Sequence, residues 1–273
     1  MRTLWSLVLY SIFLLCAVTA NAAEPFRLMA NIYSIGVSDA SVFLIATPKG
    51  LVLLDSGYES EYDQIRANIK KLGFDYYYIR ILLNSHAHLD HAGNFARIHK
   101  ETGARLYASE ADAQLLARGG KGDPQFGDKY PFPPVDVDQT IHEDDRVAIG
   151  GLIFTAHLTP GHTKGCTTWT TQVRWERTPY DVVFVGSPTV PPEYKLTNNP
   201  NYPNVIADYK HTFEVLKSFK PDVFLGSHGS FFDFEQKAAK RAKKPNPFID
   251  PEGYRKFVDD MERKFKAAVA KKQ

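Results

Sequence analysis

The sequence predicts an α/β protein in which two β-sheets pack together with helices on the outside. Three observations lead there. First, the order of patterns is a β-rich block, an α/β stretch, a second β-rich block and a second α/β stretch, which suggests a duplicated, layered arrangement. Second, the chain has 273 residues, 44% hydrophobic and 23% charged, which is ordinary globular composition with ample apolar material for a core. Third, no low-complexity linker interrupts it. Residues 23–273 are therefore read as a single domain.

Residues 1–22 form a separate object. Arg2 supplies a positive start, Leu4 to Val18 is mostly apolar, and Ala20-Asn21-Ala22 is a small-x-small cleavage site. The apolar stretch is short for a membrane span. A cleaved signal peptide is expected, with a mature start at Ala23 and a periplasmic destination; an uncleaved anchor is the alternative. Cys16 follows Leu14-Leu15, not the small residues that a lipidation signal wants. Removing Arg2 changes 33 basic residues to 32 against 31 acidic, so the net charge falls from +2 to +1. That balance argues for no nucleic acid and no membrane surface as partner. Only Cys166 then remains, so no intrachain disulfide forms. It opens a strand-like run and reads as a buried structural thiol, not a nucleophile.

From Phe26 onwards the pattern is strand-like. Leu28 to Ile35, Ala40 to Thr47 and Gly50 to Asp55 are β-rich runs, with a hairpin turn at Thr47-Pro48-Lys49-Gly50. Glu61 to Leu72 has helical spacing and is closed by Gly73. Ile79 to Leu83 is an apolar strand broken by Arg80. A helix starts near Phe95 and runs to Thr102-Gly103. Arg105 to Ala108 is a strand, and Ser109 caps a helix through Ala117 with Glu110 and Asp112 in its first turn. Gly119 to Pro134 is a Gly/Pro-rich loop carrying Phe126, Tyr130 and Phe132; a functional lid and a passive insertion both fit it. Strands follow at Asp145 to Ile149, Leu152 to Leu158, Cys166 to Trp175 and Asp181 to Val185. After a proline-rich loop, Gly186 to Pro203, come a helix (Val205 to Phe219) and a strand (Pro221 to Leu225). The basic run Lys237 to Lys244 reads as solvated surface. Pro251 to Ala270 is a helix with Tyr254, Phe257, Val258, Met261, Phe265 and Val269 on one face, so it docks on a core.

The chemistry concentrates after the Ile79 to Leu83 strand. His86, His88, Asp90 and His91 stand within six positions, on the loop leaving the strand's C-terminal end. Open α/β sheets place their sites there. In extended backbone His86 and His88 point the same way, and the chain must turn for Asp90 and His91 to face a second point. Imidazole and carboxylate suit zinc. Scattered polar residues would not collect at this spacing, and the segment alone points to a two-metal hydrolase.

Nine histidines occur in all. His99, His142, His157 and His211 lie mid-helix, in a polar turn or within a strand, and read as structural or solvated. His162 and His228 differ: each follows an apolar strand, in Leu158-Thr159-Pro160-Gly161-His162-Thr163 and Leu225-Gly226-Ser227-His228-Gly229. Six ligands allow three per metal with an open position on each. One partition is His86, His88 and His162 on one zinc, with Asp90, His91 and His228 on the other.

The His-x-His-x-Asp-His segment, the Thr-Pro-Gly-His-Thr turn and the strand-terminal His228 resemble the metallo-β-lactamase superfamily, over nearly the whole mature chain. The resemblance implies a four-layer αββα sandwich, two mixed sheets face to face with helices outside. The superfamily also holds thioester hydrolases, lactonases, phosphodiesterases and nucleases, many of which carry a metal-bridging Asp in a Gly-Asp pair. Here Gly186 is followed by Ser187. Ser with the complete six-ligand set resembles the third subclass of class B zinc β-lactamases. So do Leu116 to Gly120 with Phe126-Gly127-Asp128, and the stretch from Tyr194 through Asn199-Pro200 and Tyr202-Pro203 to Asp208-Tyr209. The segment before the first strand is short for that subclass, and the loop after Ser187, Pro188 to Glu193, is about one residue longer than the subclass pattern.

This resemblance implies an exported monomer with two Zn2+ ions that opens the β-lactam ring of penicillins, cephalosporins and carbapenems, conferring antibiotic resistance. Zinc-activated hydroxide would attack the lactam carbonyl, Asp90 would orient it, and no covalent acyl-enzyme would form. Ser187 and Thr189 become candidates for holding the substrate carboxylate and Phe126 for packing on the substrate. Asp55, ending an apolar strand, either fixes a ligand histidine from behind or caps a turn. A lactone or thioester hydrolase of the same superfamily is the alternative. A metal-binding protein without turnover is a second, against which the open coordination positions argue.

Overall fold

The computed structural model describes residues 24–271. The leader expected over residues 1–22 lies outside the described residues. Twelve strands form two sheets among them. The first sheet takes its strands in chain order: β1 (Phe26–Met29), β2 (Ile32–Ser34), β3 (Phe43–Thr47), β4 (Gly50–Leu54), β5 (Ile79–Leu83), β6 (Arg105–Ser109) and β7 (Gln139–Ile141). The β1 to β4 pairings are antiparallel; those from β4 to β7 are parallel. The second sheet contains β8 (Arg146–Ile149), β9 (Leu152–Leu158), β10 (Thr167–Trp175), β11 (Thr178–Val185) and β12 (Val223–Gly226), again in chain order. Only its last pairing, β11 with β12, is parallel.

Seven α-helices complete the described chain: α1 (Tyr62–Lys71), α2 (Leu89–Ala92), α3 (Phe95–Thr102), α4 (Glu110–Ala117), α5 (Val205–Ser218), α6 (Phe234–Ala239) and α7 (Pro251–Ala270). The period of two along the strands divides the apolar residues between two cores. In β3 and β4, Phe43, Ile45, Val52 and Leu54 face the other sheet, while Leu44, Leu51 and Leu53 face helices α1, α3 and α4. On the far side, Tyr209 and Phe213 of α5 join Tyr254, Phe257 and Phe265 of α7 in covering the second sheet. The layering is thus αββα. Trp169 of β10 is fully buried between the sheets, and its indole N–H donates to the Asn84 carbonyl at 3.0 Å. Trp169→Ala would cost about 3–5 kcal/mol by the cavity it opens.

The caps agree with the sequence. Ser109 accepts from the Asp112 N–H at the start of α4, and Asp250 accepts from the Gly253 N–H ahead of Pro251 in α7. Four readings need correction. The run Leu28 to Ile35 is two strands, because the chain reverses at Ala30 (φ 46°) and β1 pairs back on β2. The ligand loop contains the short helix α2, and β7 was not anticipated. Lys237, placed in a solvated run, is buried and pairs with Asp250 at 2.7 Å.

The long loop 119–134 is pinned at both ends. The Phe132 N–H donates to the Gly119 carbonyl and the Val135 N–H to Leu116, each at 3.0 Å, while both side chains enter the helix-side core. Its middle, residues 122–129, reaches towards the mouth of the ligand loop.

Candidate metal centre

All six side chains picked from the sequence converge beyond the C-terminal ends of β5, β9 and β12. His88 Nδ1 lies 3.1 Å from His162 Nε2, and possible ligand atoms of His86, His88 and His162 all fall within 4.8 Å of one another. His91 Nε2 lies 3.3 Å from His228 Nε2; Asp90 Oδ2 is 3.2 Å from the first and 3.7 Å from the second. The two groups adjoin, since the His86 and His91 rings are 4.1 Å apart. His86 with Asp90 and His91 also meets the same 4.8 Å condition.

The local fold explains the convergence. After β5 the chain stays extended through His88 (φ −107°, ψ 159°) and then enters α2, which swings Asp90 and His91 to a second point. Gly93 ends that turn where a Cβ would meet Glu59 N at 2.5 Å and Gly57 O at 2.7 Å, so only glycine lets the two loops press together. Gly161, before His162, has φ +136° and lies against the Tyr209 ring, where a Cβ would come within 2.7 Å.

Each imidazole turns one nitrogen inward and has a group facing the other. His86 Nδ1 meets Ser85 Oγ at 3.0 Å, and that hydroxyl donates to Asp55 Oδ2 at 2.6 Å. His91 Nδ1 meets the same Asp55 oxygen at 3.0 Å. His162 Nδ1 meets the Thr189 carbonyl at 3.1 Å, and His228 Nδ1 lies 3.2 Å from Asp39 Oδ2. His88 Nε2 faces Asp123 Oδ2 at 3.4 Å. Metal-binding histidines are held in this way, because the outer partner fixes ring angle and tautomer. On the inward side the buried His86 Nε2 has no hydrogen-bond partner. A buried ring nitrogen without a partner, beside four imidazoles and a carboxylate, is a donor set that fits zinc.

Electrostatics agree. Burial first, then neighbouring imidazoles, hold His86 and His162 well below the ordinary histidine value, and His228 below it too. Neutral imidazole is the metal-binding form. His91 goes the other way. Burial lowers it, but the carboxylates of Asp90 and Asp55 outweigh that and raise it. Asp90 is lowered despite burial, chiefly by His91. Both shifts come from the attraction between the His91 ring and the carboxylates that face it.

Asp55 is thus placed behind His91, as one of its two sequence readings had it. Its φ of 61° is strained for a non-glycine residue, and both oxygens bind Ser85. Three other carboxylates escaped the sequence reading. Asp112, taken for a first-turn charge of α4, accepts from Ala87 N–H (2.9 Å), Thr163 hydroxyl (3.0 Å) and Gly165 N–H (3.1 Å), so it ties the two metal loops together. Burial pushes it up to about 6, against those three donors. Asp39 and Asp123 hold His228 and His88. No signal in the sequence marks Asp39. The Asp-Pro spelling at Asp123 marks a turn but not its partner. Tyr194 also contributes: its ring stacks on His162 at 5.5 Å and its hydroxyl donates to the His162 carbonyl at 2.8 Å.

Among the residues expected to touch substrate, Phe126 packs on the His88 ring at 5.2 Å. Thr189 Oγ1 lies 3.2 Å from His162 Nδ1. Ser187 is buried, with its hydroxyl 3.0 Å from Thr189 Oγ1 and its N–H donating to Cys166 Sγ. Cys166 is buried as expected, its thiol pushed up to about 12 by burial. His99 pairs with Asp138, His142 with Asp145, and His157 sits beside Glu143 and Asp144. None of these three enters the cluster, and His211 is exposed on α5. No described helix is long and apolar enough to cross a membrane.

Comparison with known proteins follows the same lines. Residues 35–228 match the profile of the metallo-beta-lactamase superfamily. The structure is similar to native FEZ-1 metallo-beta-lactamase from Legionella gormanii, at 40% identity over 92% of this chain and 97% of that one, TM-score 0.89. It is also similar to BJP-1, a subclass B3 metallo-beta-lactamase of Bradyrhizobium japonicum, at 40% identity over 91% and 94%, TM-score 0.86. A third is the class B3 di-zinc metallo-beta-lactamase LRA-12 from an Alaskan soil metagenome, at 33% identity over 90% and 94%, TM-score 0.86. Curated relatives are more distant. The hydroxyacylglutathione hydrolase of Fuscovulum blasticum is 36% identical over 84 residues, 31% of this chain and 26% of its own length. The hydroxyacylglutathione hydrolase GloC of Haemophilus influenzae is 22% identical over 208 residues, covering 74% of this chain and 88% of its own. The chain belongs to the metallo-beta-lactamase superfamily, and its structural neighbours include subclass B3 enzymes.

Proposed function

We propose that the protein is an exported, periplasmic zinc hydrolase that opens the β-lactam ring of penicillins, cephalosporins and carbapenems. The observation that carries this reading is the complete set of six inward-facing donors together with Ser187, not a carboxylate, after β11. Identities of 33–40% to B3 lactamases over at least 90% of the chain support it, against 22% to the thioester hydrolase GloC. The apolar leader supports export.

His86, His88 and His162 would hold one zinc; Asp90, His91 and His228 the other. Bound zinc supplies a polarising cation for the lactam carbonyl and hydroxide at neutral pH. Asp90 presents its carboxylate where it can orient the attacking oxygen, and no side-chain nucleophile is required. Thr189 offers a half-buried hydroxyl at the rim for the substrate carboxylate, with Ser187 behind it. Phe126 forms an apolar wall over His88.

Hydrolysis of one penicillin, one cephalosporin, one carbapenem and one glutathione thioester is measured with and without chelator. Chelator-sensitive turnover of the lactams, with the thioester slower by orders of magnitude, is the expected result. Thioester hydrolysis without lactam hydrolysis would replace this reading with the alternative.

A further inference from the structure

His88 is the one imidazole whose outer partner comes from the loop after α4, a segment outside the framework that holds the other ligands. That partner is Asp123, whose side chain is 5% exposed, against 11% for His88. The two oxygens of Asp123 have different neighbours. Oδ1 accepts from the Gln125 and Phe126 N–H groups, both at 2.7 Å. Oδ2 lies 3.4 Å from His88 Nε2, a buried nitrogen with no hydrogen-bond partner, and is the acceptor that faces it. The turn is closed from both sides by backbone bonds between Asp123 and Gly127, at 3.0 and 2.9 Å. It sets the Phe126 ring on the His88 ring and on Tyr194, at 5.2 and 5.1 Å.

We propose that Asp123 is a positioning residue that couples the metal centre to the rim of the substrate cleft. One oxygen fixes the tautomer of His88, leaving Nδ1 free to bind the ion; the other shapes the turn that presents Phe126. The proposal rests on His88 being a metal ligand. A carboxylate behind a ligand histidine raises its basicity and fixes its angle, and losing it commonly costs roughly 10–100-fold in metal affinity. Because the same side chain organises the Phe126 turn, substrate contact and metal affinity are linked through one residue.

Two substitutions separate its tasks. Asp123→Asn keeps an oxygen for the two turn N–H groups and replaces the oxygen facing His88 with an NH2 donor. Asp123→Ala removes both. Zinc affinity is read by competition with a chromophoric chelator, and kcat and KM on one carbapenem. Asp123→Asn should weaken the zinc assigned to His86, His88 and His162 by about 10–100-fold and lower kcat, with KM little changed. Asp123→Ala should add a rise in KM. Phe126→Ala, as control, should raise KM and leave zinc affinity alone. Thermal melts confirm folding, and the Asn variant decides should the Ala variant not fold. Parent-like zinc affinity in Asp123→Asn overturns the assignment while leaving the site reading intact. A parent protein that binds no zinc overturns both.

Discussion

Asp112→Ala isolates the carboxylate that ties the two metal loops. The substitution leaves the Ala87 and Gly165 N–H groups buried without an acceptor, while the Thr163 hydroxyl can turn to another partner. Each orphaned buried donor costs about 1–3 kcal/mol, so the loss is about 2–6 kcal/mol. Burial of the charge works in the opposite direction. The Asp112 carboxyl is raised from 3.8 to about 6 in the folded state, which corresponds to about 3 kcal/mol. Its folded value lies above its unfolded one, so its contribution is fully present below 3.8 and lost as pH rises through about 6. Roughly half of that is lost between about pH 5 and 8. The variant lacks the term, so its deficit should be smaller at the higher pH by about 1–2 kcal/mol. Urea unfolding of chelator-treated parent and variant at both pH values measures this. A deficit that stays constant between the two pH values, or one that grows with pH, would refute the reasoning.

Other substitutions test single roles. Asp90→Asn removes the one carboxylate of the six and should cost lactam turnover on the order of 100-fold or more, with loss of one zinc in metal analysis; normal zinc content and parent rate would show that Asp90 is no ligand. Ser187→Ala should retain measurable turnover and cost about 1 kcal/mol in stability, and the parent should show no acyl adduct by mass spectrometry, since the Ser187 hydroxyl is buried against Thr189. Cys166 should resist thiol reagents in the folded chain lacking residues 1–22 and react fully in denaturant, because its thiol is raised to about 12. By the same shift its contribution is full below the ordinary value of 9 and declines as pH rises through about 12; fast labelling of native protein at pH 8 would contradict its burial.

The six candidate donors are legible in the sequence because metal chemistry leaves local signatures. His86 to His91 crowd one loop, and His162 and His228 each follow an apolar strand, so spacing and context suffice. The groups behind them were harder to read. From the sequence of α4 alone Asp112 is a helix-start charge, yet its partners lie 25 to 53 residues away. Asp39 binds Ser230 across 191 positions. Such pairings depend on how the layers close, and no window of sequence contains both ends. The same applies to Lys237, whose basic run is surface-like until Asp250 folds against it. The strand pattern from Leu28 to Ile35 hid its reversal because both halves are apolar and no Gly or Pro marks Ala30.

Each sheet is built from one contiguous part of the chain, and the donors divide unevenly between them. In both expected triads two members come from the loop after β5 and the third from the second sheet's strands, His162 after β9 and His228 after β12. A cation in either triad would therefore act as a rivet through the seam between the two sheets. Binding free energy would appear as resistance of the halves to separating, more than as rigidity within either half. The parts of the molecule most sensitive to metal removal should then be the facing ends of β9, β10 and β12, where amide exchange reports opening of the seam.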